Sequence, residues 1–488
     1  TKITEIKDDE NYIECTLGQK RLDKVGEPPK NFDFGPSAIV NSGTIASALN
    51  KFIIDYSESK QTKYKCAEDI LKNNYPDVAG IKQGDAIIDI KKDLVEESIL
   101  VVKKLNSSFL LVQGPPGSGK TYTSAKIILS LLKDNKKVGI TSNSHKAINN
   151  LLTQIEDLAE EENFTFKGLK KSSKEEQRLN GKIIEDVSGR MKEFPKDYLL
   201  HAGTAWLFSD PRYDLKMDYL FVDEAGQVAL ANTLAIATST KNIILIGDQM
   251  QLSQPIQGIH SGNSGKSALD FLLEGEDTIP VSRGIFLSET RRLNKKICDY
   301  ISSSFYDFRL KPHPVTSERS LELDLKNIKN EGIVFLPTDH KDCTQKSDEE
   351  AKIIKDYYSK IIGKDSIDDG KNKKITQDDI MVVTPFNMQV NNLKKIINQN
   401  EAKIGTIDKF QGQQSKVVFI SMTSSNPENL PRHKEFFFSR NRLNVAISRA
   451  QCLAIILFNP SLLLANCQKI NEMRLVNNFC KLLKYKIN

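Results

Sequence analysis

The chain has 488 residues, 39% hydrophobic and 27% charged, enough for about three domains of ordinary size with real cores. Its formal charge of +6 is small for that length; the lysines are interleaved with acids as on a solvated surface, with a mild tilt towards a phosphate-bearing partner. No apolar run approaches the ~20 residues that span a bilayer, and no signal-peptide pattern opens the chain, so a helical membrane protein is excluded and no membrane partner is expected.

The first residue is Thr1, which suggests a fragment of something longer. Lys2–Ile6 and Asn11–Leu17 alternate like a hairpin around a turn at Lys7–Asn11. Residues 1–90 read as a small accessory region, irregular after Pro28 and Pro29 and then helical. The apolar run Phe109–Val112 leads into GPPGSGKT, Gly114 to Thr121, and then into the helical stretch Ala125–Leu132. Strand, glycine-rich loop, helix is the context in which GxxxxGK[ST] becomes a phosphate site. The loop Gly114, Pro115, Pro116, Gly117, Ser118 and Gly119 would surround the phosphates at the positive end of a helix dipole, its non-proline residues donating backbone N–H groups. Lys120 would reach the β- and γ-phosphates, and the Thr121 hydroxyl would hold Mg²⁺. The chain is expected to bind a nucleoside triphosphate.

Further buried-strand patterns follow at Lys137–Thr141, Tyr219–Val222 and Ile243–Ile246, with a helix over Lys146–Leu158 between them. The charged stretch Glu160–Lys192 reads as an exposed helical insertion or mobile arm, in a first α/β lobe over 91–278. Asp223 and Glu224 end the third strand, where one carboxylate completes a metal shell and the next serves as general base. After the fourth comes GDQMQL, in which Gln251 could sense the γ-phosphate and Asp248 the water network. A second series, Ile333–Leu336, Ile380–Val383, Val417–Ser421 and Leu453–Leu457, with helices over 349–362 and 388–398, predicts a second lobe over 279–488. Lys364–Lys374 reads as a solvent loop. The seven cysteines, Cys15 to Cys480, form no CxxC pair, which favours a reducing, intracellular compartment, and Cys452 reads as a small core residue.

In order, GPPGSGKT, TSNSHKAINNLL, GTAWLF, DEAGQ and GDQMQLSQP resemble the motifs of a superfamily 1 helicase. TRRLN (290–294), VVTPFNMQV (382–390), GTIDKFQGQQSKVV (405–418) and SRNRLNVAISRA (439–450) continue the likeness, which covers roughly 92–460. The arrangement is similar to the branch of the nonsense-mediated-decay helicase, senataxin and the eukaryotic nuclease-helicases, and within it to the helicase half of microbial RecB-like-nuclease–helicase fusions. The resemblance implies two RecA-like P-loop domains in tandem, with a partial β-barrel or helical stalk before them. It implies an ATP- and Mg²⁺-dependent helicase or translocase on single-stranded nucleic acid, DNA favoured over RNA, moving 5′→3′ in a microbial cytoplasm. A nuclease domain N-terminal to this segment or in trans is a conceivable partner.

By match, Arg292 and Arg449 are the arginines that reach the γ-phosphate from the second lobe. Ser142, Asn143 and Thr204 in the first lobe and Thr384, Pro385 and Thr406 in the second fall on the nucleic-acid positions, with His145 and Lys146 beside them. Trp206 could stack on a base, but burial against the sheet is the stronger expectation. Two positions depart from the family pattern. Glu97 stands where a glutamine reads adenine, and Gln414 stands where many relatives have a ribose-binding glutamate. Two readings compete with the motor: a nucleotide-switched clamp that recruits partners without unwinding, and a nuclease built on Pro76-Asp77…Asp89-Ile90-Lys91.

Overall fold

The computed structural model describes residues 41–189, 191–254, 260–368, 370–399, 401–410, 412–430 and 434–485, with the backbone of 2–7 and 12–16. Residues 1–44 form one compact unit and 45–488 another. In the first, Lys2–Lys7 and Tyr12–Thr16 pair antiparallel, with a register shift between Ile3 and Glu5. The expected turn at 8–11 lies outside the described residues.

The larger unit is built on two parallel sheets. The first has eight strands in the order Gly284–Phe286, Phe109–Gln113, Thr240–Gly247, Met217–Val222, Val138–Thr141, Leu200–Ala202, Gly168–Lys171 and Ile184–Val187. Every neighbouring pair in it runs parallel. The second sheet has five parallel strands, Gly332–Pro337, Ala450–Phe458, Ser415–Ser421, Ile380–Thr384 and Lys403–Thr406. Central strands such as Phe109–Gln113 and Ser415–Ser421 are buried along their whole length. That is why they are continuous apolar runs rather than alternating ones: helices cover both faces. Each large apolar side chain so buried stabilises the fold by roughly 1.5–3 kcal/mol. The connecting helices start where the sequence supplies caps; the Ser144 hydroxyl, for instance, accepts from the Ala147 N–H at 3.1 Å to open His145–Glu161.

Four expectations are corrected. Beyond Glu161 the charged stretch 160–192 has only a short 3-10 turn at Glu175–Gln177 and is no arm: Gly168–Lys171 and Ile184–Val187 extend the first sheet by two strands, the second of them the edge, held by buried Leu169 and Ile184. Within 364–374, Asp365–Asp368 and Lys371–Lys374 form a hairpin that pairs with Ser320–Glu322. The first sheet also continues past residue 278, because Gly284–Phe286 hydrogen-bonds along Leu111–Gln113. Trp206 is 41% exposed, since Ala205, Leu207 and Phe208 take the inward positions of its short helix. Helices before the first sheet, including Lys65–Leu71, pack into its core through Phe52, Tyr64, Ala67 and Ile70. Among the described residues, no helix is long and apolar enough to cross a membrane.

Candidate nucleotide cleft and nucleic-acid track

The phosphate loop leaves the strand Phe109–Gln113 and enters the helix Lys120–Lys133 through two left-handed glycines, Gly117 (φ 73°) and Gly119 (φ 79°). A Cβ on Gly114 would sit 2.1 Å from Lys120 Cγ, and one on Gly117 would sit 2.3 Å from Arg292 Cβ. Only glycine fits either position. The Lys120 ammonium donates to the Gly114 carbonyl and, at 3.4 Å, to that of Pro115. The Ser118 hydroxyl is buried with no partner among the described residues. The loop is braced by the segment that leads to the second sheet: Thr290 Oγ1 donates to the Pro116 carbonyl at 2.8 Å and the Arg291 N–H to Gly117 at 2.9 Å. A close backbone cradle, an unpaired buried hydroxyl and a lysine resting on carbonyls that a phosphate can replace fit a triphosphate chain. Thr121 is exposed on the first turn of the helix.

Asp223 and Glu224 follow the buried strand Met217–Val222. The Asp223 N–H donates to the Thr141 carbonyl at 2.9 Å, and its carboxylate accepts from the Glu224 N–H at 3.0 Å. Glu224 is left-handed at φ 54°, a conformation that costs about 1–2 kcal/mol. Burial, reinforced by the charge of Glu224, raises Asp223 far above the usual carboxylate range, with Lys120 pulling the other way. An Asp223 so poised fits a cation ligand, since a divalent ion would relieve its buried charge. Asp248 is buried and accepts from Tyr306 Oη at 2.6 Å, Gln251 Nε2 at 2.8 Å and the Met250 N–H at 3.1 Å. The Gln251 amide is therefore aimed at Asp248.

Arg292 and Arg449 converge from the second-sheet side. Arg292 Nε donates to Gln414 Oε1 at 2.6 Å and Nη1 to the Ser448 carbonyl at 3.4 Å. Arg449 is 2% exposed; its Nη1 donates to the Gln413 carbonyl at 2.9 Å, while its Nε has no partner among the described residues. Burial lowers Arg292 to about 9, helped by the neighbouring Arg449, and lowers Arg449 to about 10 against the pull of Glu224. Both stay cationic at neutral pH. Two desolvated guanidinium groups beside Glu224 make a site that favours added negative charge. Gln414, expected at the ribose, accepts from Arg292 in this structure.

Among the residues expected along the nucleic acid, Ser142 is buried with a hydroxyl that has no partner among the described residues, and Asn143 Nδ2 donates to the Gln227 carbonyl. With Lys146, Glu224 and Gln413 they line a cavity of about 240 Å³, which sets Ser142 and Asn143 beside Glu224. In the second sheet Thr384 and Thr406 lie opposite each other in register. Thr384 is wholly buried with a hydroxyl that has no partner among the described residues, and Pro385 lies beside Phe436 and Arg442. Thr204 lines a different cavity, of about 370 Å³, with His145 and Trp206.

Two models, each described as an AAA domain, match residues 97–256 and 267–461. The DNA replication ATP-dependent helicase/nuclease dna2 of Schizosaccharomyces pombe is 25% identical over 429 residues, which cover 82% of this chain and 30% of that protein. The DNA polymerase alpha-associated DNA helicase A of the same yeast is 24% identical over 451 residues, covering 76% and 65%. A regulator of nonsense transcripts 1 homolog from Neurospora crassa is 25% identical over 433 residues, covering 76% and 38%. The chain belongs to the superfamily 1 helicases, in the branch of these three proteins. It spans from under a third to just under two thirds of their lengths.

Several residues of this helicase that shape the cleft were not singled out from sequence. Asn441 Nδ2 donates to the Gln249 carbonyl at 2.8 Å and also to that of Gln251. Asn444 Nδ2 donates to the Met250 carbonyl at 2.8 Å and to Tyr306 Oη at 2.9 Å. Arg440 binds Asp277 through both nitrogens, at 3.1 and 2.7 Å. One helix, Arg440–Ile447, thus clasps the loop after the strand Thr240–Gly247. Their signal lay in SRNRLNVAISRA, of which only the last arginine was used. Glu97 is engaged elsewhere, accepting from the Asp89 N–H at 3.2 Å and pairing with Lys92 at 3.5 Å. The nuclease string does not assemble: Asp77 is spent on Lys65 (2.6 Å) and Asn106 (3.1 Å), and Asp89 accepts from the Lys91 N–H of its own turn. Among the described residues no three acids, histidines or cysteines gather as a metal site.

Proposed function

We propose that this helicase hydrolyses ATP to step along single-stranded nucleic acid, with DNA as the track and 5′→3′ as the direction. The observation that carries the reading is the meeting of Arg292 and Arg449 with Glu224 and the phosphate loop across the two sheets. DNA is favoured because two of the relatives are named as DNA helicases. The helicase/nuclease name of the first supports a nuclease domain N-terminal to this segment or acting in trans.

In the proposed mechanism the loop N–H groups and Lys120 bind the phosphates, Lys120 leaving its carbonyl partners to do so. Thr121 and Asp223 would hold Mg²⁺, which supplies neutralisation of the β- and γ-oxygens. Glu224 orients water and accepts its proton. Arg292 and Arg449 stabilise charge on the transferring phosphoryl group, an effect worth roughly 10³–10⁵ in rate for arginine fingers. Gln251 reports the state of the γ-phosphate through Asp248 and Tyr306. Ser142, Asn143, Thr204, Thr384, Pro385 and Thr406 hold the strand by its backbone, so closing and opening of the cleft moves it. Six unbonded cysteines among the described residues support a reducing compartment.

The test is ATP hydrolysis with and without single-stranded DNA or RNA, beside Lys120→Ala, followed by displacement of duplexes with 5′ or 3′ tails. Strong stimulation by one polymer, absent in Lys120→Ala, names the track. Stimulated hydrolysis with no displacement and no translocation would assign the protein to the clamp reading instead.

A further inference from the structure

The charged segment that adds the last two strands of the first sheet brings Lys170 and Lys171 to the same end of the sheet as Thr204 and Trp206. Trp206 is the only tryptophan of the chain. Leu207 and Phe208, at 5% and 1% exposure, anchor its segment, while the indole stays 41% exposed. It lines the 370 Å³ cavity together with Thr204, His145, Lys171 and Arg212, a volume at the lower end of small-ligand sites and of nucleotide size.

The polar groups of that cavity are arranged for an anion beside a flat ring. Arg212 is fixed by Asp210, which accepts from its Nε at 2.7 Å and also from Nη2. Lys171 has no carboxylate partner among the described residues; its ammonium donates to the Gly189 carbonyl. Burial lowers the Lys171 ammonium, and the neighbouring Arg212 lowers it further. His145, lowered first by burial and then by the charge of Lys170, carries a buried Nδ1 with no partner among the described residues, and the wholly buried Lys170 has an equally unpaired ammonium. Buried donors without acceptors cost free energy until something accepts from them. A phosphodiester supplies acceptors and charge; a nucleobase supplies the face that an exposed indole matches.

We propose that this cavity is a stacking subsite of the single-strand track, in which one nucleobase lies on Trp206 while its adjoining phosphate is held by Lys171, Arg212 and His145. The inference rests on the single-strand reading above and adds a base contact to a track otherwise held through the backbone. Because every base has a face, the subsite grips without reading sequence.

The single tryptophan makes the test direct. Trp206 fluorescence, excited where tyrosine is silent, is followed during titration with a labelled single-stranded thymidine oligonucleotide, with binding measured independently by the label's anisotropy. Saturable quenching that tracks binding is expected, and an abasic strand of equal length should bind with far less quenching. Trp206→Ala should weaken binding roughly 5- to 100-fold, Trp206→Phe much less, and neither should change hydrolysis in the absence of nucleic acid. Lys171→Ala should lower the salt dependence of binding by about one phosphate contact. Tight binding with unchanged fluorescence, equal quenching by the abasic strand, or full affinity in Trp206→Ala would overturn the stacking subsite and leave the motor intact. Failure of the intact chain to bind any single strand would overturn both.

Discussion

In the first sheet the nucleotide cleft and the proposed single-strand track both follow the C-terminal ends of strands, whereas in the second Gln414 and Arg449 precede their strands and Thr384 and Thr406 end theirs. In the cleft, hydrogen bonds run from one sheet's elements to the other's: Thr290 to Pro116, Asn441 to Gln249, Asn444 to Met250, and Tyr306 to Asp248. Along the proposed track, Ser142, Thr384 and Lys170 are buried with polar atoms that lack partners among the described residues, as does His145 Nδ1; in the cleft Ser118 Oγ and Arg449 Nε are in the same state. The cross-bonded cleft suits charge that develops during a reaction, whereas the proposed track would offer its unpaired donors and acceptors to a partner that comes and goes. Substitutions in the cleft should therefore change rates far more than binding, and substitutions along the track the reverse.

Arg449→Ala breaks that comparison most sharply. It should lower nucleic-acid-stimulated hydrolysis about 10³-fold or more while nucleotide affinity changes only a few-fold, by single-turnover assay and equilibrium binding. Arg449→Lys should rescue little, because the guanidinium Nη1 that donates to the Gln413 carbonyl belongs to a planar fork that an ammonium does not reproduce. Since Arg449 is 2% exposed, thermal unfolding of both variants is the control for folding. Stimulated turnover within tenfold of the wild type would remove Arg449 from the reaction.

The same contrast explains what was legible in the sequence. Strands buried on both faces are continuous apolar runs, and the phosphate loop has glycines wherever a Cβ would collide, so Gly114–Thr121, Asp223 and Glu224 could be read from residue types alone. Gly168–Lys171 could not, because a strand next to the sheet edge reading Gly-Leu-Lys-Lys, with Lys170 buried, carries no strand signal. Trp206 misled through the general preference of tryptophan for interiors, when its neighbours had already filled the inward positions. Asn441 and Asn444 were invisible for another reason. Each donates to backbone carbonyls, and no residue type marks a carbonyl that will be approached from the other sheet.

A pH experiment sharpens the track side. His201 lies in the strand Leu200–Ala202 below Thr204, fully buried, with Nδ1 3.1 Å from Tyr213 Oη, Nε2 3.0 Å from the Tyr198 carbonyl, and its ring stacked on Phe194 at 5.1 Å. Burial pushes it down to about 4. A depressed histidine contributes stability that is whole above about pH 6.5 and is lost as pH falls through 4, because the unfolded chain takes up the proton first. The loss amounts to about 3 kcal/mol at most. Denaturant unfolding of the wild type and of His201→Gln should show the wild type's advantage shrinking by that order between pH 7 and 4. A gap that stays constant with pH would mean that His201 is charged or exposed in solution.

The smallest effect belongs to the bridge between the two regions. Asn444 is wholly buried and its Nδ2 is shared by the Met250 carbonyl and Tyr306 Oη, beside Asp248. Asn444→Ala removes the donor and leaves the carbonyl unpaired, a cost of about 1–3 kcal/mol, while Asn441 still holds the flanking carbonyls. Asn444→Asp cannot donate to that carbonyl and sets a second carboxylate close to Asp248, so it should unfold at lower denaturant than Asn444→Ala. If the amide transmits the state of the Gln251–Asp248 pair between the sheets, both variants should also keep basal hydrolysis and lose part of the stimulation by single strand. Equal stability of the two variants, with stimulation intact, would show that this asparagine fills space and that the coupling runs through Asn441 and Arg440 instead.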